Sequence, residues 1–174
     1  MNDTVMAVIA IFLAAILMFI FPLMSTADRS DDISQQAVQT ATTEFVDNIR
    51  STGKITEDKY DSFVSKIAET GNSFDVEIEA QKLDDSARKK TTQASSSKVG
   101  ENNYYSEYTS QIESTISDNG EYDLKEGDIV SVTVKNTNKT MGQVLKNFFY
   151  RVTGNDTYNI AAQHSGIVNV NAKK

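Results

Sequence analysis

The sequence predicts an α+β fold: a long N-terminal helix, transmembrane and then amphipathic, with a small antiparallel or mixed sheet and three further helices. Three observations predict it. Residues 5–24 read VMAVIAIFLAAILMFIFPLM, with no charge between Asp3 and Asp28. Beyond that run, apolar residues recur at spacings of three and four in several stretches and at a spacing of two in others. Gly, Asn and Asp cluster between those stretches, where the chain must turn.

The apolar run comes first. Twenty helical residues at about 1.5 Å each span about 30 Å, the hydrocarbon thickness of a bilayer. The run is apolar all round, as lipid contact requires. A cleaved signal peptide is the competing reading, since Ser25-Thr26-Ala27 offers small residues for a cut before Asp28. The segment has no Lys or Arg ahead of it, and it exceeds the usual signal core of about 7–15 residues, so a retained anchor is expected. The flanks carry only Arg29 among Asp28, Asp31 and Asp32. This acidic exit suits the non-cytoplasmic side, so the domain is placed outside the cytoplasm. Pro22, the only proline, either marks the membrane exit or permits a bend in a helix that packs in a polymer.

Ile33, Ala37, Val38, Ala41, Phe45, Val46 and Ile49 continue at helical spacing with polar residues between them, and Gly53 is placed to end that helix. The expected division is therefore 1–27 as anchor, 28–53 as amphipathic extension and 54–174 as head. A second helix is read from Tyr60, Phe63, Val64, Ile67 and Ala68. Phe74, Val76, Ile78 and Ala80 then alternate with Asp75, Glu77, Glu79 and Gln81, the pattern of a half-buried strand. Residues 83–103 are rich in Ser, Thr and Lys and read as a long flexible loop. A third helix is expected through Tyr104, Tyr105, Tyr108, Ile112 and Ile116. After it, Lys125-Glu126-Gly127-Asp128 turns into a strand from Ile129 to Val134. A fourth helix follows through Met141, Val144, Leu145, Phe148, Phe149 and Val152, and a last strand covers residues 158–170, with Ser165-Gly166 as the place for a bend. Thr70-Gly71-Asn72-Ser73-Phe74 and Thr153-Gly154-Asn155-Asp156-Thr157-Tyr158 echo one another as helix-to-strand caps.

Composition narrows the function. The net charge is −7 with 17 basic and 24 acidic residues. The densest basic stretch, Arg88-Lys89-Lys90, lies beside Asp84 and Asp85 as a solvated linker, so no nucleic-acid partner is expected. Cysteine is absent, which removes disulfides, thiolate metal sites and thiol nucleophiles. His164 is the sole histidine, too little for a common zinc site or a nucleophile-activating pair. No phosphate-cradling, dinucleotide or nucleophile-elbow motif occurs. Asp118-Asn119-Gly120-Glu121 departs from calcium-loop spacing and reads as a turn. Glu77 and Glu79 read as a solvated strand face, and the glycosylation-like triplets at Asn138 and Asn155 are short enough to arise by chance. No catalytic residue, metal, cofactor or small-molecule substrate is expected. Tyr104, Tyr105 and Tyr108 are the candidate contact surface, because aromatic residues anchor interfaces.

An apolar helix that continues into an amphipathic helix docked on a small sheet, with Pro22 late in the run, resembles the pilin and pseudopilin architecture. Residues 44–70 (EFVDNIRSTGKITEDKYDSFVSKIAET) and 146–168 (KNFFYRVTGNDTYNIAAQHSGIV) look like TadE-like pseudopilin-type proteins of Gram-positive bacteria, which accompany Tad-type pilus assembly machinery. The glutamate that pilins carry shortly inside the apolar helix has no counterpart here; Asp3 is the nearest acid. The resemblance implies a filament subunit. Its membrane helices would bundle laterally, Asp3 would neutralise a neighbour's terminal amine, and its partners would be membrane lipid and further copies or other pilin-like subunits. A charge inside such a bundle is costly unless paired, which would also set register. The alternative from another class is a single-pass anchored binding or accessory module of a secretion or conjugation machine. Its anchor would need hydrophobicity but no particular residue order.

Overall fold

The structure, a computed structural model, describes residues 2–83, 104–150 and 160–172, with the backbone alone at residue 2 and residues 148–150. Among these, four helices and six strands follow in the order α1 (Asn2–Thr52), β1 (Lys54–Thr56), α2 (Glu57–Ala68), β2 (Phe74–Leu83), β3 (Tyr104–Tyr108), α3 (Thr109–Asn119), β4 (Glu121–Asp123), β5 (Ile129–Asn136), α4 (Met141–Tyr150) and β6 (Ala161–Ile167). The α+β class and the single long N-terminal helix are as the sequence predicts.

The anchor and its extension are one uninterrupted helix, so the expected junction at residues 27–28 is a change of surroundings with no break in the backbone. Gly53 ends the helix. Its φ of +73° is left-handed, its N–H returns to the Ile49 carbonyl at 2.8 Å, and a Cβ there would stand 2.6 Å from the Val170 carbonyl oxygen. Only glycine meets both demands without strain.

β3-β2-β5-β6 form a four-stranded sheet, antiparallel throughout, and β1 pairs with β4 in a second, two-stranded sheet. The period-two pattern of β2 holds as read. Ile78 and Ala80 are buried with Val130, Val132, Val134 and Ala162 on one face, while Glu77, Thr133 and Gln163 align on the other. Val38, Ala41, Phe45, Val46 and Ile49 of α1 join that core, with Phe63 and Ile67 of α2 and Ile112 and Ile116 of α3. Three helices thus share one cluster with a single sheet face. The rings of Phe45 and Phe63 stack at 4.4 Å and 4°, locking α2 to α1.

Several expectations are corrected. Tyr104 to Tyr108 form a strand, and the helix starts at Thr109. The three-and-four spacing of the tyrosines mimics a helix, but the unpaired edge of β2 captures the segment, from Glu79↔Tyr108 to Leu83↔Tyr104. Aromatic residues suit a pleated edge, and tertiary pairing overrides the local period. Ile33 and Ala37, expected on the core face, are exposed; Ser34 and Thr42 are buried instead, the latter returning its hydroxyl to the Val38 carbonyl at 2.7 Å. β1 and β4, at three residues each, are too short for alternation to mark them. β6 is shorter than the strand expected over 158–170. From Val168 onward the chain leaves the ladder to bond Asp128 and Arg50, and no bend occurs at Ser165-Gly166, whose pairing with Ser131 and Val130 is unbroken. Gly71, with φ of +78°, makes the first of the two echoed caps. The second cap, the end of the fourth helix at Val152, the loop at 84–103 and the start of the last strand at 158–159 lie outside the described residues.

Candidate functional site

Along its first half α1 presents a run of exposed apolar side chains. Met6, Ile11, Phe12, Met18 and Phe19 are each between 67% and 77% exposed, and no part of the most apolar 18-residue window, of mean hydropathy 2.9, is buried. A soluble protein rarely leaves an apolar area of this kind in water. One helix is therefore long and apolar enough to cross a membrane. Asp3 lies in its first turn and Pro22 inside it. Pro22 does not interrupt the helix, and its carbonyl accepts a hydrogen bond from the Thr26 hydroxyl at 2.9 Å. Asp3 and Pro22 sit near opposite ends of the apolar run, on surface that nothing in the described head covers.

Where the run ends, the head closes on the helix. Ala27 is the first buried residue of α1. Lys146 of α4 pairs with Asp28 at 2.7 Å, and the Thr140 hydroxyl donates to Asp31 at 2.7 Å. Thr140 also caps α4: its Oγ1 accepts from the Gln143 N–H at 3.2 Å, and the Gln143 side chain accepts from the Thr140 N–H at 3.1 Å. The Gln35 amide grips both backbone groups of Ala161, donating to its carbonyl at 2.6 Å and accepting from its N–H at 3.0 Å. That side chain occupies the start of edge strand β6 as a neighbouring strand would. Sequence reading missed this collar. Its one legible signal was the cluster Asp28, Asp31 and Asp32 directly after the apolar run; partners more than one hundred residues away left none.

From the level of the collar upward, the exposed side of α1 and the end of α2 border an open groove of about 800 Å³ lined by Arg29, Ile33, Ala37, Thr40, Lys66 and Glu69. The misassigned Ile33, 60% exposed, lies here.

The three tyrosines do not converge. Register places Tyr104 and Tyr108 on the outer sheet face with Leu83 and Glu79, and turns Tyr105 to the opposite face with Lys82. Tyr108 is 59% exposed, while the Tyr104 hydroxyl makes a long bond to the Gly127 carbonyl at 3.4 Å. On the inner side, Lys82 pairs with Glu107 at 3.2 Å and sits 4.1 Å over the Tyr122 ring, whose hydroxyl donates to Glu107. Tyr122 has a structural role. Burial, then the hydrogen bond to Glu107, raises its phenol pKa well above the usual value near 10.

The outer sheet face bears a shallow groove of about 660 Å³ bordered by Glu77, Glu79, Tyr108, Glu113, Thr133 and Gln163. Three of its carboxylates have partners: Glu79 accepts from Ser106 at 2.7 Å and from Gln81 at 3.1 Å, Glu113 accepts from Tyr60 at 2.7 Å, and Glu77 faces Lys135 at 3.6 Å. His164 lies on the helix side of the sheet, 3.8 Å from Asp47, which is already paired with Arg50 at 2.8 Å. Among the described residues, no group of three or more His, Asp or Glu is placed to hold a metal ion. At Asn119-Gly120-Glu121, Gly120 caps α3 with φ of +79° and Glu121 pairs with Lys54 at 2.8 Å, so the expected turn holds. Asn138 bonds Asn72 through its amide nitrogen at 3.1 Å and Ser73 through its oxygen at 2.8 Å, which ties the side chain into a turn. Asn155 lies outside the described residues.

What the geometry offers is an uncovered apolar helix joined rigidly to a polar α+β head. No family model, no curated protein and no solved structure matches this chain.

Proposed function

We propose that this chain is a pilin-like or pseudopilin structural subunit, held in the membrane by α1 with its head outside the cytoplasm, and assembling through that helix into a Tad or type IV-like filament. The observation that carries the reading is the continuity of α1. One helix carries an apolar run over residues 5–24 that the head leaves unburied, and its second half is built into the core of the head. A membrane anchor alone needs no rigid union with the domain it holds, and a flexible linker would serve. A subunit that must set its head at a fixed angle in a polymer does need one. The unbroken helix through Ala27, whose side chain is buried, also supports retention of the anchor. Packing of neighbouring helices along α1 would cover the apolar run, and the groove beside Ile33 and Ala37 extends that surface into the head.

In this reading Asp3 neutralises a neighbour's amine within the bundle, Pro22 accommodates helix packing, and Tyr108 contributes to the outer surface. The deciding experiment is electron microscopy of filaments sheared from the source cells, with gold-labelled antibody against residues 84–102. Regular labelling along filaments is the expected result; label confined to the membrane would favour the solitary anchored module. Asp3→Ala is expected to abolish incorporation while leaving the head folded. Normal incorporation of that variant would remove Asp3 from the assembly mechanism.

A further inference from the structure

Two apolar surfaces of the head stand at one level on different sides of α1. The first is the groove beside Ala37 and Ile33, the latter 60% exposed. The second is the outer side of α4, where Met141 and Val144 are 72% and 53% exposed. Gly142 and Gln143 are buried, and a Cβ on Gly142 would collide with the Asp31 carboxylate, so that side of α4 is pressed on α1. The pairings of Thr140 with Asp31 and of Lys146 with Asp28 set the level of α4. The groove runs along α1 from Thr26 to Thr40, a span that includes this level. At 3.6 residues per turn, Asp28 and Asp31 lie about 170° around the helix from Ile33 and Ala37. The two surfaces therefore cannot meet within one chain.

Their charges are complementary. Close to both surfaces, Asp28 is held by Lys146, Asp31 by Thr140 and Lys66 by Glu44. Arg29, Asp32, Glu69 and Lys139 are exposed and make no ion pair among the described residues. Arg29 and Glu69 line the groove. Asp32 borders the cleft between α1 and α4, and Lys139 stands two residues before Met141. Each surface thus carries one cation and one anion left over, and opposite signs meet only if Arg29 faces Asp32 and Glu69 faces Lys139. A membrane that holds every α1 at one depth brings the groove of one copy level with α4 of the next.

We infer that the groove beside Ile33 receives Met141 and Val144 of a second copy, with Arg29 and Glu69 facing Asp32 and Lys139 of that copy. This rests on the reading that α1 spans a membrane. A groove that meets a different surface leaves one groove and one α4 open in any pair, so the contact repeats along a row. At helix spacings of about 8–10 Å, the intervening α4 keeps adjacent apolar runs about 20 Å apart. The row therefore joins copies standing in lipid, before any bundling of the runs themselves.

The chain has no cysteine, so single cysteines each report one position. Full chains carrying Ile33→Cys or Met141→Cys would be mixed in phosphatidylcholine vesicles and oxidised with copper phenanthroline. The mixed 33–141 disulfide is expected in excess over the 33–33 and 141–141 products. Glu69→Lys on the first chain, or Lys139→Glu on the second, is expected to lower its yield about fivefold, the factor that about 1 kcal/mol produces. The two changes together should restore it. Both positions are exposed, so neither change burdens the fold. Same-position disulfides in excess, or a mixed yield that both reversals leave unchanged, overturn the inference. Absence of cross-links in chains that stay with the vesicles through an alkaline carbonate wash also overturns it and leaves the anchor standing. Chains stripped by that wash overturn the anchor and the inference with it.

Discussion

At Asp128, 2% exposed, one carboxylate ties separate segments together. It accepts from the Lys125 N–H at 2.7 Å and the Leu83 N–H at 3.1 Å, while its own carbonyl receives the Val168 N–H at 2.8 Å. The turn before β5, the end of β2 and the C-terminal tail all meet there. Asp128→Ala would leave two backbone donors short of a charged acceptor and is expected to cost about 2 kcal/mol. An unshifted urea midpoint would show that water or a neighbouring group replaces the carboxylate. Tyr60 and Tyr122 give a second residue-scale expectation. Burial first, then hydrogen bonds to Glu113 and Glu107, raises both phenols above their ordinary pKa near 10. Below that value both states of the chain keep these protons, so the contribution does not vary. As pH rises through about 10 and beyond, the unfolded chain loses them while the folded chain holds them, and stability falls. Denaturant titrations from pH 9 to 11.5 should show that decline, and a Tyr60→Phe, Tyr122→Phe double variant should flatten it. An identical slope in the variant would place the alkaline sensitivity elsewhere.

At the scale of elements, α2 packs on α1 through the stacked rings of Phe45 and Phe63. Phe45→Ala removes a ring that is 6% exposed and is expected to destabilise the head by about 3 kcal/mol or more through the cavity it leaves. Amide exchange in α2 should accelerate more than exchange in β5, which lies at the centre of the sheet. Uniform acceleration would mean that α2 and the sheet unfold as one unit. β3 shows how an element changes character through its neighbour. Tyr-Tyr-Ser-Glu-Tyr carries aromatic residues that suit either a helix face or an edge strand, and β2 supplies the unpaired edge that decides. The candidate contact surface divides as a result, with Tyr104 and Tyr108 on one face and Tyr105 on the other.

For the whole molecule, the core begins only where the apolar run ends. Buried residues of α1 start at Ala27 and recur from Ser34. A chain beginning at residue 26 is therefore expected to fold in water without detergent. Its melting temperature should stay within about 4 °C of that of the full chain in detergent, the shift that about 1 kcal/mol produces in a domain of this size. Thermal scans by circular dichroism would measure it. Loss of the transition would mean that the exposed half of α1 contributes to the fold after all.

The apolar run, the long helix through the first fifty residues, the strands β2 and β5 and the turn at Gly127-Asp128 were legible in the sequence, because each rests on a local rule: hydrophobic period, length, or a residue suited to a turn. Tertiary structure decided the rest. Ile33 and Ala37 share the helical period of the core residues, yet the sheet does not reach them. Gly166 looks like a strand weakness, yet a Cβ there would stand 2.5 Å from the Arg50 side chain, whose Nε bonds the Ile167 carbonyl at 3.0 Å. The collar of Asp28 with Lys146, Asp31 with Thr140, and Gln35 with Ala161 joins residues more than one hundred positions apart. Periodicity describes a segment's own faces, and only the packed chain determines which face another segment covers.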